Sequence, residues 1–169
     1  QVLTDSGGYQ VFSLEPKVTD DGATFRSTYD GDTHHLTPEG AADIQSQLGA
    51  DIQMVLDVCP PLPSSSATIA TAVRRTGDWG RRGRAAFLAG RGAREDRGLD
   101  QAQFGIVQGG LDLELRRRSA EETVETGFDG YAVGGLSVGE TRDEMLPALA
   151  AALAELPADQ PRYLMGVGD

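Results

Sequence analysis

A single cysteine, Cys59, in 169 residues leaves no internal disulfide and no cysteine-built zinc centre within this sequence. Basic residues are scarce as well: Lys and Arg total 15 against 26 Asp and Glu, a formal net charge of −11. That balance argues against a generic polyanion binder, whose footprint is usually basic. No apolar run approaches the roughly 20 residues of a spanning helix, and the N-terminus lacks the basic and apolar regions of a signal peptide. What remains is a globular composition, 39% hydrophobic and 24% charged, neither disordered nor fibrous. The length suits one domain with a real core and is short for two. The chain opens at Gln1, without a methionine and directly in strand-like sequence, so a processed protein or a piece of a longer one is expected.

Five short apolar runs read as buried strands, each rich in β-branched or aromatic residues and bounded by turn residues. They are Val2-Leu3-Thr4, Ile52–Leu56, Phe104–Val107, Tyr131-Ala132-Val133 and Tyr163-Leu164-Met165. Helices are predicted between them. Thr37 before Pro38 makes an N-cap and a first-turn proline, with Ala41, Ile44 and Leu48 on one face and Gly49 as the stop. Ser119-Ala-Glu-Glu122 reads as a capping box, and Gly127 closes that helix. Met145, Leu146, Leu149, Ala152, Leu153 and Leu156 form a last helical stripe, in which Pro147 must sit in the first turn or cause a kink.

Two stretches break the alternation. Thr24–Thr28 and Thr33–Leu36 flank Asp30-Gly31, which predicts an antiparallel hairpin inserted between the first strand and the first helix. Residues 60–100 carry three early prolines and then eight arginines, and predict a helix from about Ser65 to Leu88 followed by a mobile loop. These arginines, with Arg116-Arg117-Arg118, are expected on solvated helix faces. His34 and His35 read as exposed decoration of the hairpin. Alternating strands and helices imply a parallel sheet. Two architectures fit: part of a (β/α)₈ barrel, which runs to about 250 residues when complete, or a doubly wound sheet closing on five strands. The partial barrel is the expectation, since polar residues or glycines follow every apolar run.

Those strand ends carry the chemistry-bearing residues. Asp5-Ser6-Gly7-Gly8-Tyr9-Gln10 offers a carboxylate for proton exchange, glycines for close backbone approach and a tyrosine as a stacking face; it also reads as a capped tight turn. Asp57 could accept hydrogen bonds from the donor edge of a purine, or cap a helix. Gln108-Gly109-Gly110 pairs an amide that donates and accepts with two glycines. Val133–Gly139 lacks the lysine of a P-loop and reads better as a backbone platform for a carbonyl oxygen than as a phosphate site. Met165 is either core filler or a ligand clamp. Cys59 has no histidine near it in sequence, which gives thiol catalysis little support.

Taken together, the chain resembles the bacterial-type tRNA-guanine transglycosylases, the queuine tRNA-ribosyltransferase family. The matching blocks are Leu3–Val11, Leu36–Glu39, Gly49–Ile52, Leu56–Pro60, Phe104–Gly110, Gly127–Glu140 and Arg162–Gly168, in family order. The resemblance implies a cytoplasmic enzyme that exchanges guanine for a 7-deazaguanine at the wobble position of tRNA. Its partners are tRNA and the two bases, with no DNA and no membrane, and a homodimer stays open. It implies that Asp5 shuttles a proton to the exchanging base and that Tyr9 and Met165 sandwich the ring. Asp57 and Gln108 would read its polar edge, and Gly134, Gly135 and Leu136 would meet its exocyclic group. Ser6, Gly7 and Gly8 share the Asp5 loop, and Gly166, Val167, Gly168 and Asp169 begin a tRNA-contacting segment.

The departures from the family pattern matter equally. The family's nucleophile is a second aspartate on a later strand, and its zinc is held by three cysteines and a histidine; neither has a counterpart in residues 1–169. This chain is therefore expected to hold no metal or other cofactor and to be the central part of one barrel domain, inactive alone. The rival expectation is a naturally short, noncatalytic base-binding or partner subunit.

Overall fold

The computed structural model describes residues 1–167, with backbone alone at Val11 and Phe12. Strand β1 (Leu3–Thr4) leads into a short helix α1 (Gly8–Phe12) and three short strands, β2 (Lys17–Val18), β3 (Ala23–Arg26) and β4 (Thr33–Leu36). Helix α2 (Pro38–Leu48) precedes β5 (Ile52–Met54), and α3 (Ser66–Ala89) with α4 (Arg91–Glu95) precedes β6 (Ala102–Val107). Then α5 (Leu113–Thr126), β7 (Gly130–Val133), α6 (Arg142–Glu155) and β8 (Arg162–Leu164) complete the order.

The main sheet runs β1-β5-β6-β7-β8, every pair parallel. Each crossover thus advances one strand in the same direction. A doubly wound sheet reverses at a switch point; this one does not. It is a curled half-barrel with alternating helices, part of a (β/α)₈-type barrel, and the helices pack in sequence, α2 on α3, α3 on α5, α5 on α6. The separate antiparallel sheet β2-β3-β4 is the expected hairpin with one further strand, paired Phe25 to His34 and Thr24 to His35.

Local chemistry explains most element ends. Thr37 caps α2 by accepting the Gly40 N–H at 3.1 Å, Pro38 opens it, and Gly49 closes it with φ 73°. Ser65 caps α3 through the Thr68 N–H at 3.1 Å. Gly127 ends α5 at φ 77°. Three expectations are corrected and one open choice is resolved. The cap of α5 is Asp112, which accepts the N–H groups of Glu114 and Leu115, so Ser119 lies mid-helix; an aspartate just after a glycine pair caps earlier than the Ser119 pattern allows. The expected capping box is found instead at Thr141 and Glu144. The expected loop after α3 contains α4. Pro147 falls beyond the first turn, inside α6.

The principal core lies between β5–β7 and helices α5 and α6, with Phe104, Ile106, Val107, Ala120, Phe128, Val133, Ala148 and Ala152 at its centre. On α2 the expected stripe is only partly inward: Ala41 is buried, but Ile44 and Leu48 are exposed. β1 is an edge strand here, so among the described residues α2 has a helical neighbour on one side only. Its contact with the sheet is secured by Gln45, whose amide bonds both the N–H and the carbonyl of Met54 and accepts the Thr4 hydroxyl.

A second core under the hairpin gathers Ala23, Ala41, Leu56, Val58, Ala72 and Trp79. Trp79 is fully buried, and its indole N–H donates to the Asp20 carbonyl at 2.9 Å. Arg75 bonds the Asp20 carboxylate, while Arg82 grips Glu39 through two bonds of 2.7 and 2.8 Å. The hairpin is thus strapped to α3 across both its turn and its following helix. Trp79→Ala is expected to destabilise the fold by about 3–5 kcal/mol, measured by chemical denaturation followed by circular dichroism, since the sole tryptophan is removed.

Candidate active site

The segments after β1, β5, β7 and β8 converge at the carboxyl ends of their strands on one pocket of about 310 Å³, within the roughly 300–1,000 Å³ typical of small-molecule sites. Asp5 follows β1, Asp57 lies three residues past β5, Gln108 follows β6, Gly134 follows β7 and Met165 follows β8. Asp5, Tyr9, Asp57, Gly134, Gly135, Leu136, Met165 and Gly166 all line it. In a barrel this is the end where loop chemistry collects.

Its most unusual feature is a buried polar pair. Gln108 is 1% exposed and donates from Nε2 to Asp57 Oδ2 at 2.6 Å; Asp57 is 5% exposed. Burial pushes the Asp57 carboxyl up to about 7, the Gln108 bond works against that shift, and the nearby Asp5 charge adds to it. The pair is fixed from behind, because the Gln108 backbone N–H donates to Ser119 Oγ at 3.0 Å. Gln108 itself does not reach the pocket wall. It stands behind Asp57 and against Gly134 and Gly135, where a Cβ would come within 3.0 and 2.1 Å of its amide.

The Asp5 loop is both of the things its sequence suggested. It is a tight turn, with the Ser6 N–H on Asp5 Oδ1 at 2.8 Å, the Gly8 N–H on Ser6 Oγ at 3.3 Å and Gly7 at φ 83°. It also presents Asp5 and Tyr9 to the pocket. Ser6, Gly7 and Gly8 lie outside that wall. Gly8 is needed for a different contact: a Cβ there would stand 2.9 Å from Asp57 Oδ1, so the first loop can close on the Asp57 carboxylate only without a side chain.

Opposite, the loop after β7 is held by Glu140, which accepts the N–H groups of Ser137 and Val138. Tyr9, largely exposed, and Met165, half-buried, stand on the same pocket as the glycine loop, so a flat ring can lie between an aromatic face and a thioether. The Asp57 carboxylate at one edge and backbone groups at another suit a planar heterocycle with polar edges.

The model of the family described as queuine tRNA-ribosyltransferase matches residues 1–169. The chain belongs to that family. It is 53% identical to the queuine tRNA-ribosyltransferase of Solidesulfovibrio magneticus, 51% to that of Pelotomaculum thermopropionicum and 48% to that of Halothermothrix orenii. Each match covers 99% of this chain and 43% of the relative, so the chain spans less than half the length of these curated relatives.

Set against the queuine tRNA-ribosyltransferase resemblance, two parts of the site escaped the sequence reading. One is Cys59, which lines the pocket beside Ser137 and Val138 of the loop already read as a backbone platform. Burial, and then the Asp57 charge, push the Cys59 thiol up to about 11, so it stays protonated near neutrality and is no thiolate nucleophile. Arg116, expected on a solvated face, is fully buried, as are Arg84 and Arg94 nearly so. Each reaches backbone carbonyls or a carboxylate that its own helix cannot supply: Arg116 takes Gly134 and Gly135, Arg84 takes Asp129, and Arg94 takes the Phe87 carbonyl at 2.6 Å while lying 3.8 Å over the Phe87 ring. The signal for Arg116 was present, since it shares the inward period of α5 with Ser119, Ala120 and Thr123. Val167 lies off the pocket wall, while Gly168 and Asp169 are outside the described residues.

No helix among the described residues is long and apolar enough to cross a membrane. His34 stacks on Phe25, and His35 bonds Thr24 and Asp21, so both histidines serve the hairpin. Among the described residues no three His, Cys, Asp or Glu groups come together as metal ligands. With Cys59 its sole cysteine, residues 1–169 cannot by themselves supply the three thiolates of the zinc site that the resemblance implies.

Proposed function

We propose that this chain is the central part of a tRNA-guanine transglycosylase barrel, acting in the cytoplasm on tRNA and exchanging guanine for a 7-deazaguanine at the wobble position. The observation that carries this reading is the buried Asp57 carboxylate, held by Gln108 at 2.6 Å and lining a pocket flanked by Tyr9 and Met165. A carboxylate fixed by an amide can accept two N–H donors from a guanine-type edge. Tyr9 and Met165 hold the ring plane. Gly134, Gly135 and Leu136 provide backbone groups for the exocyclic position, and Gly166 and Val167 lead toward the RNA.

The exchange needs two displacements at the ribose carbon. A carboxylate supplied from elsewhere in the full-length protein forms a bond to that carbon as the bond to guanine breaks, and the incoming base then displaces it. Asp5 gives a proton to the departing base and takes one from the arriving base. Its exposure at the pocket rim suits a group that exchanges protons with both ligand and solvent. The residues present here bind, orient and move a proton; they do not make the covalent bond. This division accounts for the acidic balance of the chain, with basic tRNA-facing surface assigned to other parts of the protein.

The deciding experiment follows labelled guanine into tRNA carrying a wobble guanine, using the full-length protein. Incorporation, with loss on Asp5→Asn at retained base binding, is expected. Base binding without any incorporation would leave a binding subunit, and no base binding would remove the reading altogether.

A further inference from the structure

Arg116 is a buried cation that the base-exchange reading leaves unused. Its guanidinium donates from Nε to the Gly110 carbonyl at 2.8 Å, from Nη1 to Gly134 at 2.6 Å and Val107 at 3.2 Å, and from Nη2 to Gly135 at 2.8 Å. Every one of these partners is a backbone carbonyl, and the side chain is 0% exposed. Burying a cation without a paired carboxylate is costly, so a purely structural role would be served better by an apolar residue of similar volume. Burial does push the guanidinium down to about 10, against the opposing influence of Cys59 and Glu140; near neutrality it remains charged.

The four carbonyls are not scattered. Val107 and Gly110 belong to the end of β6 and its glycine turn, while Gly134 and Gly135 form the pocket wall after β7. Both loops use backbone shapes open chiefly to glycine, Gly110 at φ 55° and Gly135 at φ 62°, and glycine loops are loose unless something ties them. The loop also lies directly on the helix at this point, since a Cβ on Gly109 would stand 2.8 Å from the Arg116 backbone nitrogen. A planar fork with five donors can bond several fixed carbonyls at once; a lysine ammonium cannot match that geometry.

We propose that Arg116 is a positioning residue for base recognition, its guanidinium tying the glycine loops after β6 and β7 into one rigid platform on which Gln108 holds Asp57 and Gly135 meets the base. This inference rests on the base-exchange reading. Arg116 touches no substrate; it sets where the contacting groups stand, and small misplacements of such groups are expensive.

The test compares Arg116→Lys and Arg116→Met in the full-length protein with the wild type. Arg116→Lys is expected to raise the KM for guanine about tenfold, with the KM for tRNA little changed and the loss falling on KM more than on kcat. Arg116→Met is expected to raise it further. An unchanged KM for guanine in folded Arg116→Lys would overturn the proposal. So would guanine and tRNA KM values rising together in step with a lowered Tm, the mark of a merely structural group.

Hydrogen exchange on the wild type needs no variant and covers the case of misfolding. The amide of Gly135 should be as protected without guanine as with it, because Arg116 has already fixed the loop; the Gly134 amide, bonded to the Val107 carbonyl at 3.0 Å, is the internal reference. Protection that appears only when guanine binds would equally overturn the proposal. Wild-type guanine incorporation is the control: its failure would count against the base-exchange reading, and its success with an unchanged Arg116→Lys would count against Arg116 alone.

Discussion

Asp57→Asn is expected to weaken guanine binding by about 100-fold, since asparagine keeps one acceptor oxygen and loses one charge-assisted hydrogen bond worth about 1.5–3 kcal/mol, and yet to stabilise the folded protein above neutral pH. Both effects come from burial. In the folded chain the carboxyl is pushed from 3.8 up to about 7, so from about pH 4 to 7 the folded state holds a proton that the unfolded state has lost. Stability then falls as pH rises through that window and is lowest once Asp57 is ionised. Asparagine cannot ionise and escapes this loss. On the proposed reading, however, the base needs the ionised form, which accepts hydrogen bonds at both oxygens. Wild-type affinity should therefore be flat above about pH 7 and fall about tenfold per unit below it, one proton being released on binding. In Asp57→Asn this slope disappears. Calorimetry with guanine across that range, beside thermal unfolding of both proteins, reads both effects. Equal affinities would dismiss Asp57 as a base-reading group, and a variant less stable at high pH would show that its charge is compensated.

This opposition between stability and binding marks the site as built for a ligand. A carboxylate kept under strain by burial, with its only described side-chain partner an amide, gains its missing hydrogen bonds when a donor-bearing ring enters.

The fold was legible because its punctuation is local. Thr37-Pro38, Ser65, Asp30-Gly31, Gly49 and Gly127 all stand where the sequence puts them, each through a bond or backbone angle within a few residues. The choice between half-barrel and doubly wound sheet was not local. It depends on which side each crossover takes, and only the strand order settles it. The same distinction runs through the site. Asp57 and Gln108 were each visible as polar residues closing an apolar run, but their 2.6 Å bond spans 51 positions and exists because β5 and β6 are neighbours. Ser119 fits the pattern of a cap, whereas its hydroxyl fixes Gln108 instead. Arg116 was hidden by Arg117 and Arg118, whose exposure is ordinary; a charged triplet reads as one solvated face although a helix turns its three members in different directions.

Gly135→Ala is expected to abolish base binding and to lower stability by about 2–4 kcal/mol, from left-handed strain together with overpacking. Gly135 sits at φ 62°, and an added Cβ would fall 2.1 Å from Gln108 Oε1. Gln108 cannot move aside cheaply. Its backbone is bonded to Ser119, its amide nitrogen to Asp57, and it is buried against Gly134 as well. Relief must therefore come from shifting the glycine loop away from Arg116 or from turning the Gln108 amide out of its bond with Asp57. Either movement disorders the groups that meet the base. Gly127→Ala separates the two contributions: φ is 77° there, yet nothing lies within 4 Å of the new Cβ. That variant should carry the backbone strain of about 1–2 kcal/mol alone and bind guanine normally. Denaturant unfolding and guanine calorimetry on both variants provide the comparison. If Gly135→Ala bound guanine like Gly127→Ala, the loop after β7 would be a scaffold only, and the base would have to be read from the Asp5 side of the pocket.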